Sequence, residues 1–279
     1  LGDLGGLGGF RCNGSMLKVG AAIVLVMALA ALVGPSLSPL DPARQELPLR
    51  LAGPSAGHPF GLDELGRDIL ARVLAGARIS FFVALVVVGV SSLVGTLLGA
   101  IAGYFGGVAD EVISRVTDTL LAFPGILLAI ALVAVLGPRL GHVLFALTII
   151  GWVGYARLVR GQVLRAREFE YVRAAQALGA TTPRVLLRHI IPTALPSVVV
   201  QATIGMAGAI LGEAALSFLG LGVQPPTPSW GTMLNGGRAH LLDAPHLTLF
   251  PGLAIALLVL GFNFLGDGLR DFADPKGRR

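Results

Sequence analysis

Between two long apolar runs lies Tyr171–Pro196, YVRAAQALGATTPRVLLRHIIPTALP, whose residue types suit contact with another surface more than bond-breaking chemistry. Seven arginines fall between Arg157 and Arg188, and Gly179, Pro183 and Pro192 punctuate the stretch at helix-boundary spacing. Val172–Leu178 reads as a short helix ended by Gly179 in the left-handed conformation. Thr182 is placed to cap a second helix with Pro183 at its first position, running over 184–191 and stopped by Pro192. Ala174 and Ala175 give the first helix a smooth surface that could seat in a groove. The residues alone allow two readings: a handle on which a partner pushes, or a solvated basic loop that only fixes orientation.

Other chemistries find little support. The only lysines are Lys18 and Lys276, and neither follows a glycine, so a phosphate-cradling GxxxxGK[ST] loop is excluded. The five histidines, His58, His142, His189, His240 and His246, are scattered, and no HExxH motif or other metal-ligand spacing appears. No nucleophile and base are recognised at catalytic spacing, which argues against a membrane-embedded hydrolase. Cys12 stands alone, so neither a disulfide framework nor a thiolate metal site is available. Two polar residues inside apolar runs remain as pathway or gating candidates. Glu213 interrupts a stretch otherwise uncharged from Ile190 to Gly237, and an ionisable group there is functional by default or else interfacial. Asn263 is placed to hydrogen-bond between helices.

The elements that must position these residues are membrane spans. Hydrophobic residues make up 54% of the 279 and charged ones 13%, against about 25% charged in soluble domains. The runs 79–109, 119–138, 140–156, 190–212 and 244–266 hold no Asp, Glu, Lys or Arg, and 17–33 holds only Lys18. A spanning helix needs roughly 17–25 mainly apolar residues. The reading is an all-α polytopic membrane protein with six transmembrane helices, near 17–34, 80–103, 119–137, 140–156, 194–217 and 246–266. The fourth is short and interrupted by Gly151 and Gly154. Lipid-facing barrel strands would alternate apolar and polar residues, which these runs do not.

With the N-terminus inside, the inner segments carry 14 Arg and Lys and the outer ones 7, which places both termini in the cytoplasm of an inner (plasma) membrane protein. Five arginines between Arg44 and Arg78 oppose the rule, within an outer segment long enough to weaken it. The basic charge sits beside the spans, so it implies the lipid bilayer and no nucleic acid. Residues 1–16 form a Gly-rich flexible tail with Met16 a candidate start, and residues 267–279 an inner C-terminal tail. Leu17–Val33 also has the composition of a signal-peptide core, but five later spans favour its retention. Residues 35–78 make an outer loop ending in an amphipathic interfacial helix, with Asp63 as N-cap and Gly66, Arg67 and Asp68 within it. Residues 79–266 form a five-helix core with an inner loop over 157–194. Tyr104–Asp118 reads as an inner loop turning at Gly106-Gly107, and Pro124 kinks or opens the third span. Trp152 and Trp230 fit interfacial anchoring. The stripe Gly95, Gly99, Gly103 allows close helix contact, either within the chain or with a partner.

The loop resembles the signature of the inner-membrane permeases of binding-protein-dependent ABC importers: E-A-A, three residues, G, nine residues, I-x-L-P. Arg173, Ala174, Ala175, Gly179, Ile191 and Pro192 fall on it, with Arg173 where the family has Glu and His189 where it has the first Ile. HPFGLDELGRDILARVLAGARIS (58–80), AGYFGG (102–107), LAFPG (121–125), GYARLVRGQVL (154–164), LSFLGLGVQPPTPSWG (216–231) and LGDGLRDFADP (265–275) are similar to the dipeptide, oligopeptide and nickel permease group, second or "C" type.

The resemblance implies the type I ABC importer permease fold and a transport subunit that is not itself an enzyme. It implies coupling helices at 174–192 docked on two ATP-binding subunits, which hold the ATP and Mg while this chain binds no cofactor. It further implies a second permease completing the pathway and an extracytoplasmic substrate-binding protein. The cargo expected is dipeptides or oligopeptides, with nickel or glutathione as alternatives on the same fold. A self-sufficient secondary transporter would instead show midplane charges and inverted repeats; only Glu213 qualifies and no repeat is visible.

Overall fold

The computed structural model describes residues 13–37 and 40–273, and these form helices with no strand beyond one isolated bridge, Leu62 to Asp68. The N-terminal tail to Cys12 and the end of the C-terminal tail from Asp274 lie outside the described residues. The helices are α1 (Asn13–Leu37), α2 (Ile69–Phe105), α3 (Gly107–Leu121), α4 (Gly125–Leu136), α5 (Leu140–Ala166), α6 (Glu170–Ala177), α7 (Thr182–Val185), α8 (Ile191–Phe218), α9 (Trp230–Gly237) and α10 (His246–Ala273). Five stretches are long and apolar enough to cross a membrane: α1, α2, α5, α7 continued through α8, and α10. A sixth exists if α3 and α4, bent by 86° at their junction, count as one span.

The boundaries depart from the sequence-based ones for local reasons. No separate amphipathic helix precedes the second span. Gly66 adopts φ +71°, closed to a right-handed helix, and a Cβ there would run into the backbone of Glu46. Asp63 does not cap a helix but closes a turn, its Oδ1 accepting from the N–H groups of Leu65 and Arg67 at 2.9 Å each. The N-cap is Asp68, whose Oδ1 accepts from Ala71 N at 2.8 Å. From there α2 runs 37 residues without a break.

The first inner loop is mostly helix. It turns at Gly106 and Gly107, both at positive φ, and then forms α3. The third span shrinks to the 12 residues of α4 because Pro124 disfavours helix in the residue before it and supplies no N–H. The fourth span is not short: α5 has 27 residues, and Gly151 does not break it but sits where a Cβ would strike Ser91. The sixth continues past 266 to Ala273.

Three apolar clusters hold the bundle together. One joins α1, α2, α8, α9 and α10 around Trp230, Ile69, Ile210 and Leu258. Trp230 is no interfacial anchor. It is fully buried, its Nε1 donates to Val73 O at 2.9 Å, and Gly76 leaves the room it occupies. The second cluster joins α2, α5 and the handle through Val83, Val159, Val163, Val172, Val185 and Ile190. The third seats α4 on α5 through Ala129, Val133, Val143 and Ala146. The Gly95, Gly99, Gly103 stripe packs inside the chain, where added Cβ atoms would meet the backbone of Trp152, Ala156 and Arg160 on α5.

Four of the five arginines that oppose the orientation rule, Arg50 being the exception among the described residues, have structural partners. Pro35 has no N–H, so Ala31 O in α1 lacks its usual helical donor; Arg78 Nε supplies one at 2.7 Å, and its Nη2 reaches Leu32 O at 2.8 Å. Arg67 pairs with Asp63, Arg44 with Glu46, and Arg72 Nη1 donates to Pro42 O at 3.0 Å.

Candidate functional site: the handle and the central cavity

The handle is built on the end of α5. After Ala166 the chain turns, forms α6, turns again at Gly179 and re-enters a helix at Thr182. The second turn closes a helix end in a specific way: Gly179 N donates to Gln176 O at 2.9 Å and Ala180 N to Ala175 O at 3.0 Å, with Gly179 at φ +82°. This is the Schellman arrangement, in which the left-handed residue lets two orphan carbonyls be satisfied. No atom lies within 4 Å of where a Gly179 Cβ would stand, so the glycine answers to backbone conformation alone.

Beyond the turn Thr181, not Thr182, occupies the N-cap position, with no side-chain hydrogen bond. Nor does Pro192 stop the helix. A π-turn over Leu186–Ile190 precedes it, with Ile191 N bonded to Leu186 O, and Pro192 falls in the first turn of α8, where a missing N–H costs little. The second half of the handle and the fifth span are therefore one helical rod, Thr182–Phe218.

Val172, Val185 and Ile190 are fully buried against α5 and anchor the handle from below. Gln176 Nε2 donates to Tyr104 Oη at 3.2 Å, and Arg167 Nη1 to Gly103 O at 3.3 Å, tying it to α2 as well. Arg173, in the family's Glu position, is exposed and paired with Glu168. The hydrogen bond from Arg173 holds the Glu168 carboxyl below the usual carboxylate range, so the pair is intact at neutral pH and lost as the solution turns acid. Ala174 is exposed, Ala175 half-buried. Leu178, 88% exposed, and Leu187, 66% exposed, project from a surface that also carries Arg184 and Arg188. The handle thus combines a base anchored on α5 with exposed leucines and arginines.

Between α2, α4, α5 and α8 lies a cavity of ≈ 600 Å³, lined by apolar and small residues with Ser91, Tyr155 and Gln201 as its polar side chains. Gly205 leaves space for the hydroxyl of Tyr155, which donates to Gln201 O at 3.4 Å. Neither Glu213 nor Asn263 lines it. Asn263 is half-buried in α10 and its side chain makes no hydrogen bond with a described residue. Glu213 is completely buried on another face of α8. Its Oε1 accepts from Ser217 Oγ at 2.7 Å, Ser217 Oγ accepts from Val223 N at 3.2 Å, and Oε2 has no partner among the described residues. Glu213 thus holds the segment after α8 in place. The cavity's own polar residues escape notice in the sequence because uncharged side chains inside apolar runs leave no pattern.

The expectation that no nucleophile stands at catalytic spacing needs correction, since Gly53-Pro54-Ser55-Ala56-Gly57 has the GxSxG spacing of a nucleophile elbow. The setting is wrong for one. Ser55 sits in an exposed turn, not between strand and helix, and its Oγ accepts from the backbone N of His58 at 3.3 Å. The His58 ring is turned to Asp68 instead, Nδ1 to Oδ2 at 2.9 Å. No group of three or more metal-ligating residues occurs among the described residues.

A bundle of helices long and apolar enough to cross a membrane, with a cavity among them and an exposed helical handle at one end, fits a membrane transport component. Residues 95–279 match the family described as binding-protein-dependent transport system inner membrane component, and the chain belongs to that family. It is 48% identical over 258 residues to the dipeptide transport system permease protein of Alkalihalophilus pseudofirmus, covering 92% of this chain and 85% of that one. It is 44% identical to the dipeptide transport system permease protein of Bacillus subtilis, over 95% and 83% of the two chains. The glutathione transport system permease protein of an Escherichia coli strain is 47% identical, over 94% and 86%.

Proposed function

We propose that this chain is one of two permeases that together form the pathway of a peptide importer. The 600 Å³ cavity contributes its half of that pathway, and Ser91, Tyr155 and Gln201 meet the cargo as it passes. Two ATP-binding subunits grip the handle at Leu178, Arg184 and Leu187 and supply the ATP and Mg; an extracytoplasmic binding protein delivers from the opposite end. Both termini and the handle lie in the cytoplasm. The observation that carries this reading is the handle itself. It is anchored on α5 by Val172 and Val185 and joined without a break to α8, a wall of the cavity, so a push from below moves the wall. Short peptides are the preferred cargo because relatives are named for dipeptides; glutathione, a small peptide too, is the second candidate because another relative is named for it.

The test is reconstitution of the full importer in vesicles with its binding protein outside. Labelled dipeptide should accumulate only with ATP and Mg on the handle side, with excess glutathione as competitor to distinguish the cargoes. The chain purified alone should hydrolyse no ATP. ATP hydrolysis by the isolated chain, or uptake that persists without the ATPases, would overturn the proposal.

A further inference from the structure

The half of the bundle farther from the handle holds a second cavity, of ≈ 360 Å³, set among α1, α2, α9 and α10. Packing explains why it is there. Nearer the handle, α1 and α10 touch through glycines. A Cβ added to Gly20 would strike the backbone of Leu265, one at Gly261 the side chain of Ile23, and one at Gly268 the backbone of Leu17. Farther out no described glycine joins the two helices, and Met27 and Ala30 of α1 share a cavity wall with Leu253 and Leu257 of α10. Toward α2 the gap is closed. Gly34 of α1 rests on Leu74, and Arg78 holds the carbonyls of Ala31 and Leu32. At its outer end the cavity is roofed by Phe60 stacked on Phe250, ring centroids 3.9 Å apart. Leu253 and Leu257 line the cavity and are also 48% and 46% exposed, so its mouth opens sideways, between α1 and α10.

The lining decides what can fill it. Trp230 has the one polar side chain among the lining residues, and its Nε1 is spent on Val73 O at 2.9 Å. A water needs two to four polar partners, so water finds no hold here. An apolar cavity of about 150 Å³ stays dry and takes up benzene, and this one has room for a longer hydrocarbon. Left empty, its walls would forgo their dispersion contacts on one side. Phe250 to Leu257 is about 10 Å of helix, lying about 6 to 17 Å from the start of α10 at His246. That is the depth of the acyl chains of one leaflet, about half of a 30 Å hydrocarbon layer. α1, α2 and α10 are each long and apolar enough to cross the membrane, so the hydrocarbon that meets the mouth is lipid.

We propose that this cavity holds one acyl chain of a phospholipid from the leaflet opposite the handle. The chain enters past Leu253 and wedges α1 apart from α10 where glycines no longer join them. The inference rests on the membrane spans and not on the cargo or the coupling proposed above.

The test is photolabelling of the assembled importer in nanodiscs of phosphatidylcholine that carries a diazirine midway along one chain, with adducts mapped by peptide mass spectrometry. Val73 and Ala254 line the cavity and are only 9% and 6% exposed, so a chain reaches them by entering it. Both should carry adducts, alongside the exposed Leu29 and Leu260. Ala30→Phe, which fills the cavity, should cut the adducts on Val73 and Ala254 at least fivefold and leave those on Leu29 and Leu260 unchanged. If Ala30→Phe fails to assemble, Leu253→Trp decides from the exposed rim, since blocking the mouth should have the same effect. Adducts confined to Leu29 and Leu260 in the unaltered importer would refute the site, as would adducts on Val73 and Ala254 that neither variant lowers. A second permease seated over the mouth would give the first of these results, with Val73 and Ala254 labelled only in the chain purified without its partner, and would overturn the proposal.

Discussion

Gly179 is the residue at which backbone conformation bears most directly on the proposed coupling. Its φ of +82° costs a non-glycine residue roughly 1–2 kcal/mol, and the open space around it removes any steric term. A graded series follows. Gly179→Asn should transport best, Gly179→Ala less, and Gly179→Val least, because Asn tolerates the left-handed region and a β-branched residue resists it. Membrane insertion should survive in all three, since the buried anchors Val172 and Val185 are untouched. Paired uptake and ATPase measurements on vesicles check the order; equal transport by all three would mean that the turn is passive. Glu213 makes a different kind of prediction. Glu213→Gln keeps an acceptor for Ser217, whereas Glu213→Leu strands a buried hydroxyl at a cost of about 1–3 kcal/mol. The thermal midpoint of the purified complex should fall clearly for Leu and little for Gln. If Glu213 also gates, Gln should loosen the coupling of ATP hydrolysis to uptake without lowering that midpoint.

At the scale of elements, uncharged runs locate the spans well because a charge in hydrocarbon is expensive wherever it falls. They do not locate helix ends. A helix continues for as long as its backbone is satisfied, so α2 begins ten residues before its uncharged stretch and α10 runs past Asp267. Pro192 misled for a related reason: its effect depends on whether the preceding turn can widen, which only the π-turn reveals. The handle's glycine and its basic character were legible because both follow from single-residue rules. The glycine stripe was legible as a contact but not as to its partner, and the packing on α5 supplies that. Gly99→Val should therefore abolish accumulation in the membrane, since α5 backbone stands where the side chain would go. Gly89→Val, with nothing within 4 Å, should be tolerated. Quantifying the two variants in purified membranes tests the seam; equal abundance would contradict the α2–α5 packing.

For the whole molecule the prediction is orientation. Cysteines placed at Ser55 and Thr227, at the end opposite the handle, should react with an impermeant reagent added to intact cells, while one at Thr181 should react only after lysis. Labelling of Thr181 from outside would invert the molecule and remove the ATPases from the handle. The distribution of Arg and Lys supports the expected result. Of the outer arginines that oppose it, Arg44, Arg67 and Arg72 are occupied within their own loop and Arg78 with carbonyls of α1, so they weigh less on topology than their number suggests.

One corner of the bundle is thinner than the rest. At 1.5 Å per residue α4 is about 18 Å long, against about 30 Å of hydrocarbon, and α3 leaves it almost at a right angle. α3 is fastened in that sideways pose by Arg160 to Asp110 and Arg157 to Asp118, while Val108, Val112 and Val116 stay uncovered. Lipid beside α4 must thin, or another chain must shield it, and either way the molecule becomes responsive to acyl-chain length. Uptake in vesicles of 14-carbon lipids should exceed that in 22-carbon lipids. Deleting the Asp110 tie, which lets α3 tilt, should flatten the difference. The membrane's own composition would then set the working rate of the transporter alongside its fuel and cargo.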